Sequence, residues 1–205
     1  MGKEPNKRQQ QAEQTKQKLY KNAIKLFQEK GYSAVTVEEI CKKSNVSKGA
    51  FYVHFSSKHD IVVTQSKRND EAQMAFYNAM DKSLPYTEQI IKFAEFICRN
   101  IAEDKGLDAE RAIYTAEMSK TNPPQYICNK NRPLYKIFEK IFAAGQKAGE
   151  FREDISGSDA VEVFIMCIRG VIYEWIITIA IEERDIVDMC HKFASAIVYG
   201  YKKYD

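Results

Sequence analysis

Thr36-Val37-Glu38-Glu39-Ile40-Cys41-Lys42-Lys43-Ser44-Asn45-Val46-Ser47-Lys48-Gly49-Ala50-Phe51-Tyr52-Val53-His54-Phe55 is the stretch that decides the architecture. Thr36 followed three residues later by Glu39 makes a capping box, in which hydroxyl and carboxylate each satisfy a backbone N–H that a helix start leaves free. A helix therefore runs from Val37 to about Ser44. Asn45-Val46 breaks the pattern, and Ser47 caps a further short helix from Lys48 to about Phe55. Two short helices joined by a tight turn, the second opening Ser-Lys-Gly, have the layout of a DNA-reading helix-turn-helix. Val37, Ile40, Cys41, Val46, Ala50 and Phe51 supply the apolar contacts that hold such a pair together, leaving the start of the second helix exposed to base edges.

Upstream, Leu19, Ala23 and Phe27 recur at four-residue steps from Thr15 onward and predict a helix that stops at Gly31. Downstream, Ser57 with Asp60 repeats the cap logic and opens a long fourth helix. Amphipathic stretches follow at about 58–81, 86–104, 107–119, 132–148, 158–181 and 185–202, divided by Gly and Pro signals. No strand alternation and no internal repeat interrupts them. With only 9 Gly and 5 Pro in 205 residues, the composition favours long helices. The expected fold is all-α with about nine helices. Its expected parts are a flexible basic arm over 1–12, a helix-turn-helix domain over 13–57 and a helical body over 58–205.

The formal net charge of +3 says little until it is divided. Residues 1–60 hold 12 Lys+Arg against 6 Asp+Glu, leaving 19 against 22 in the remainder. A basic first third and a mildly acidic body point to an anionic partner for the N-terminal part, nucleic acid or a membrane surface. Cysteines at 41, 98, 128, 167 and 190 form no CxxC pair, and the polar N-terminus lacks a secretory core, so reduced thiols in a cytoplasmic protein are expected. Val161 to Ile181 is long and apolar enough for a membrane test. Glu162, Arg169 and Glu174 interrupt it, which favours a buried or interfacial helix of a globular protein.

Taken in order, Ala23-Ile24-Lys25-Leu26-Phe27-Gln28-Glu29-Lys30-Gly31-Tyr32, Thr36 to Cys41, Val46 to Phe55 and Lys58 resemble the N-terminal domain of TetR/AcrR-family transcriptional regulators. The matching region spans about Thr15 to Val62, and beyond it the likeness is one of length and helix content. The resemblance implies a one-component repressor whose second domain dimerises and takes up a ligand. It assigns Tyr52 to a phosphate contact and Lys58 to a matching family lysine at the start of the fourth helix, where free N–H groups already attract phosphate. Lys48 in the first helical turn can reach guanine O6 and N7 or a phosphate. Gly49 lets the helix backbone approach DNA, and His54 points toward the DNA backbone or remains a neutral surface histidine. Thr36 and Ser47 serve as caps, with a backbone contact as the alternative.

For the body, the aromatic side chains offer an apolar pocket: Phe76, Tyr77, Phe93, Phe96, Tyr114, Met118, Tyr126, Phe138, Phe142, Tyr173 and Trp175 are its candidates, against plain core packing. Val161, Ile165, Ile168 and Ile172, with Met189, Phe193 and Ile197 of the last helix, are expected at a homodimer seam. No GxSxG, Walker, HExxH or dinucleotide motif occurs, so neither catalysis nor a cofactor or metal is expected. The expected partners are double-stranded operator DNA, a small-molecule effector and a second copy of the chain, with no membrane. A DNA-binding regulator without an effector, and a helical interaction protein that leaves DNA alone, are the alternatives.

Overall fold

A computed structural model describes residues 6–103, 106–118, 126–179 and 181–203. Among them run nine helices and no strand: α1 (Lys7–Lys30), α2 (Val37–Ser44), α3 (Lys48–His54), α4 (Lys58–Ala79), α5 (Tyr86–Glu103), α6 (Gly106–Met118), α7 (Pro133–Lys147), α8 (Gly157–Thr178) and α9 (Ile186–Gly200). Phe151 and Lys202 add an isolated antiparallel bridge. The chain is all-α. No helix among the described residues is long and apolar enough to cross a membrane.

α1 starts well ahead of its apolar stripe. Asn6 accepts from the Arg8 N–H while the Gln9 side chain accepts from the Asn6 N–H at 2.9 Å, closing a capping box. Residues 7–12, expected in a flexible arm, are therefore the first turns of a helix, since straight-chain Gln, Lys and Arg lose little rotamer freedom there. Residues 1–5 of that expected arm lie outside the described residues. At its other end α1 stops at Gly31, whose φ of 80° suits glycine.

Contacts divide the chain into two compact units, Met1–Ser66 with Asp108–Ile127, and Lys67–Leu107 with Cys128–Asp205. The division falls inside α4 and inside α6. In the first unit, Leu19, Ala23 and Phe27 of α1 join Ile40, Phe51 and Phe55, with Ile61 and Val62 of α4. Ala112, Ile113 and Ala116 of α6 complete that core from far along the chain. Burying Ile113 contributes about 1.5–3 kcal/mol, so removing α6 from this core is costly.

In the second unit, α5 packs against α7 and α9, and α8 against both α7 and α9. An aromatic chain runs through it, with ring centroids 4.9 Å apart for both Phe93–Phe138 and Phe138–Phe164, and 6.1 Å for Phe142–Phe164. Glu150 accepts from the backbone N–H groups of Tyr86 and Thr87 and from the Thr87 hydroxyl, satisfying the start of α5 from a distant loop. Among the thiols, Cys41, Cys98 and Cys190 are buried and Cys128 is exposed. Cys167 is half-buried, lying toward the open side of α8.

Candidate nucleic-acid interface

The helix pair is built by its caps. The Thr36 hydroxyl accepts from the Glu39 N–H at 3.2 Å, and the Glu39 carboxylate accepts from the Thr36 N–H at 2.9 Å. Lys30 also pairs with Glu39 at 2.6 Å. That hydrogen bond from Lys30, followed by the one from the Thr36 N–H, lowers the Glu39 carboxyl to about 2. α2 ends on Asn45 in the left-handed region at φ 51°, a conformation Asn tolerates. Ser47 then restarts the chain as a helix, its Oγ accepting from the Ala50 N–H at 3.1 Å. Thr36 and Ser47 thus carry out the capping role.

From α3, Phe51 goes fully into the core while Tyr52 and Val53 stay out, Tyr52 being 57% exposed. The Tyr52 ring meets Phe51 edge-on at 5.3 Å, which steadies it while more than half of the residue stays exposed. Lys48 is exposed at the start of the helix and pairs with Glu38 of α2. This hydrogen bond raises the Lys48 pKa. A Cβ placed on Gly49 would meet only Ser47 Oγ, at 3.8 Å. No packing within the chain therefore requires glycine at 49. His54 is half-buried at the end of the helix.

Lys58 stands apart from these. Its Nζ donates to the carbonyls of Tyr32 at 2.8 Å, Val35 at 2.9 Å and Ser33 at 3.3 Å, and lies 4.5 Å from the centre of the Tyr32 ring. Burial pushes its pKa down. In the chain alone its ammonium is directed into the α1–α2 turn, where three carbonyls and a ring face supply its partners. Glu38 was missed by sequence reasoning: it is ten residues from Lys48, and no spacing rule links the two.

Within the second unit, Phe76, Tyr77, Phe93, Phe96 and Phe138 form one connected cluster of packed rings. Phe76 stacks on Phe96 with centroids 4.1 Å apart, Tyr77 lies edge-on to Phe93, and Phe93, Phe138 and Phe142 are fully buried packing residues of the second unit. Trp175 is buried there too, its indole N–H donating to the Arg184 carbonyl. Tyr173 and Met118 are exposed, and Tyr114, Met118 and Tyr126 belong to the first unit.

The expected dimer residues also divide. Val161, Ile165, Ile168 and Ile172 are buried within the single chain, so that face of α8 is already covered by the chain itself. The open face is the opposite one, formed by Val163, Met166, Tyr173 and Ile177 at three- and four-residue spacing around the bare backbone of Gly170. On α9, Phe193 is exposed while Met189 and Ile197 are half-buried.

A capped helix-turn-helix that buries Phe51 and turns Lys48, Gly49 and Tyr52 outward defines a nucleic-acid-reading module. Residues 19–63 match the family described as bacterial regulatory proteins, tetR family. Over 134 residues the chain is 46% identical to the transposon Tn10 TetC protein of Escherichia coli, a match covering 65% of this chain and 55% of that one. Over 46 residues it is 48% identical to IcaR of Staphylococcus aureus strain Newman, the HTH-type negative transcriptional regulator of the biofilm operon icaADBC, covering 22% of this chain and 25% of IcaR. The chain thus spans less than two thirds of the length of either relative. The structure of a SmeT–triclosan complex superimposes with a TM-score of 0.68 at 16% identity, over 92% of both chains, which is a likeness of fold. Residues 19–63 thus form a domain matching the tetR family of bacterial regulatory proteins.

Proposed function

We propose that the chain is a ligand-responsive transcriptional repressor that binds a palindromic operator as a homodimer and is released by a small apolar or aromatic effector. The observation that carries the reading is α3, with Phe51 anchoring it and Lys48, Gly49 and Tyr52 turned outward. Lys48 reaches base edges or phosphate, the Tyr52 hydroxyl donates to a phosphate oxygen, and the missing Cβ at Gly49 lets the backbone approach. Two such helices in a dimer meet successive major grooves, with centres about 34 Å apart.

The dimer is supported by the exposed apolar stripe of α8 and by Phe193 on α9, surfaces that a lone chain leaves in water. Repression is supported by the likeness to a negative regulator, and the effector by the aromatic interior of the second unit together with a fold-neighbour bound to triclosan. Release demands that the effector prefer one state of the dimer, since equal affinity for both shifts nothing.

Selection of duplexes from a random library by the full-length protein tests the reading. Recovery of a palindromic site is the expected outcome, with Tyr52→Phe and Lys48→Ala each weakening it about tenfold and more when combined. A library that yields no preferred sequence overturns it.

A further inference from the structure

We propose that Lys58 is a positioning residue that clasps the α1–α2 turn, and through it the entry of the α2–α3 pair, and that it makes no phosphate contact. The inference rests on the DNA-binding reading above and deepens it. An ammonium has three N–H donors, and Lys58 has three carbonyl acceptors within 3.3 Å, those of Tyr32, Ser33 and Val35. The face of the Tyr32 ring closes over the same charge. A lysine reaching for phosphate would have to leave all four partners.

The acceptors occupy a decisive place. Val35 immediately precedes Thr36, the cap of α2, and Tyr32 is buried against Phe27 of α1, their ring centroids 5.1 Å apart. Lys58 is itself the first residue of α4, and Ile61 and Val62 one turn later are buried in the same core as Ile40 and Phe51. The clasp therefore ties the first turn of α4 to the point where α2 begins. A shift of that turn moves the chain entering α2, and with it the face that α3 presents.

The test compares wild type, Lys58→Met and Lys58→Arg in the full chain, binding the selected operator across a salt series. Removing a clasp lowers affinity about tenfold in both variants while leaving the slope of log affinity against log salt unchanged. Removing a phosphate contact lowers that slope by roughly 0.9 in the methionine variant and spares the arginine variant, whose charge is kept. A planar guanidinium does not reproduce three convergent ammonium bonds, so failure of arginine to rescue belongs to the clasp alone. A slope change, arginine rescue, or unchanged affinity in both variants overturns the proposal.

Amide exchange of residues 32–40 in the DNA-free protein supplies an independent reading, with faster exchange there expected in both variants. If Lys58→Met melts throughout, Lys58→Arg carries the same measurements. Wild type that selects no operator while the exchange effect holds defeats the DNA-binding reading and leaves the clasp standing. Unaltered exchange defeats the clasp.

Discussion

Arg132 straddles the carboxylate of Asp70, with Nε 3.2 Å from both oxygens and Nη2 2.8 Å from Oδ1, and both side chains are more than nine-tenths buried. The pair joins the middle of α4 to the residue that precedes α7, inside the second unit. Buried charges are costly to leave alone, so removing one partner costs about 3–5 kcal/mol while replacing both with apolar groups costs much less. Asp70→Asn and Arg132→Met are expected to unfold at clearly lower urea, with Asp70→Leu/Arg132→Met nearer the wild type. A single Asp70→Asn that melts with the wild type contradicts a structural role for the pair.

Glu39 gives the first unit a pH dependence whose sign follows from its pairing with Lys30 and its cap on the Thr36 N–H. Its carboxyl titrates at about 2 when folded, against an ordinary value of 4.5. A depressed folded pKa means the stabilisation is complete above about 4.5 and fades as the pH falls toward 2. Glu39→Gln keeps an acceptor for the Thr36 N–H but removes the charge. Thermal melts of the variant between pH 2 and 4.5 are expected to be flatter than those of the wild type; parallel curves count against the assignment.

Gly145 sits where a methyl group has no room. A Cβ there would lie 2.3 Å from Phe151 Cδ2 and 3.1 Å from the Tyr86 Cβ. Gly145→Ala is expected to destabilise the second unit by about 1–3 kcal/mol through overpacking. Shortening the opposing ring with Phe151→Leu in the same chain recovers part of the loss, measured by denaturant unfolding. Equal loss in single and double variants would show that the collision is relieved elsewhere.

The proposed dimer uses the outer face of α8. Met166→Glu and Phe193→Glu, both at exposed positions, are expected to give a folded monomer by sedimentation. Val161→Ala, on the buried face, is expected to lower stability without changing the sedimentation coefficient at low temperature. The opposite pattern would return the seam to the face that the sequence favoured.

At α2, α3 and the end of α1, signals acting over three or four residues are followed by the structure. Thr36 and Ser47 cap α2 and α3 as their spacing predicts, and Gly31 ends α1. Asn6 and Gln9 are a capping box too, but a Gln-rich run without apolar periodicity hid it. The candidate site was legible to the extent that it is local: Tyr52 and Lys48 face outward because Phe51, one residue from Tyr52, is the buried anchor. Glu38 beside Lys48 and the three carbonyls around Lys58 depend on chain separations of 10 to 26 residues, for which the sequence carries no signal.

By itself, then, the sequence determined a run of capped helices, a helix-turn-helix, and a basic first third ahead of a mildly acidic remainder. Capping and periodicity are short-range hydrogen bonding and helix geometry, which a chain displays wherever it is placed. The tertiary structure alone decided which face of α8 is covered, because a helix apolar on nearly every side has no preferred inside until α7 and α9 pack against it. It also brought α6 into the core of the first unit and turned Lys58 inward. Those outcomes depend on partners far along the chain, where packing rather than local propensity sets the direction of a side chain.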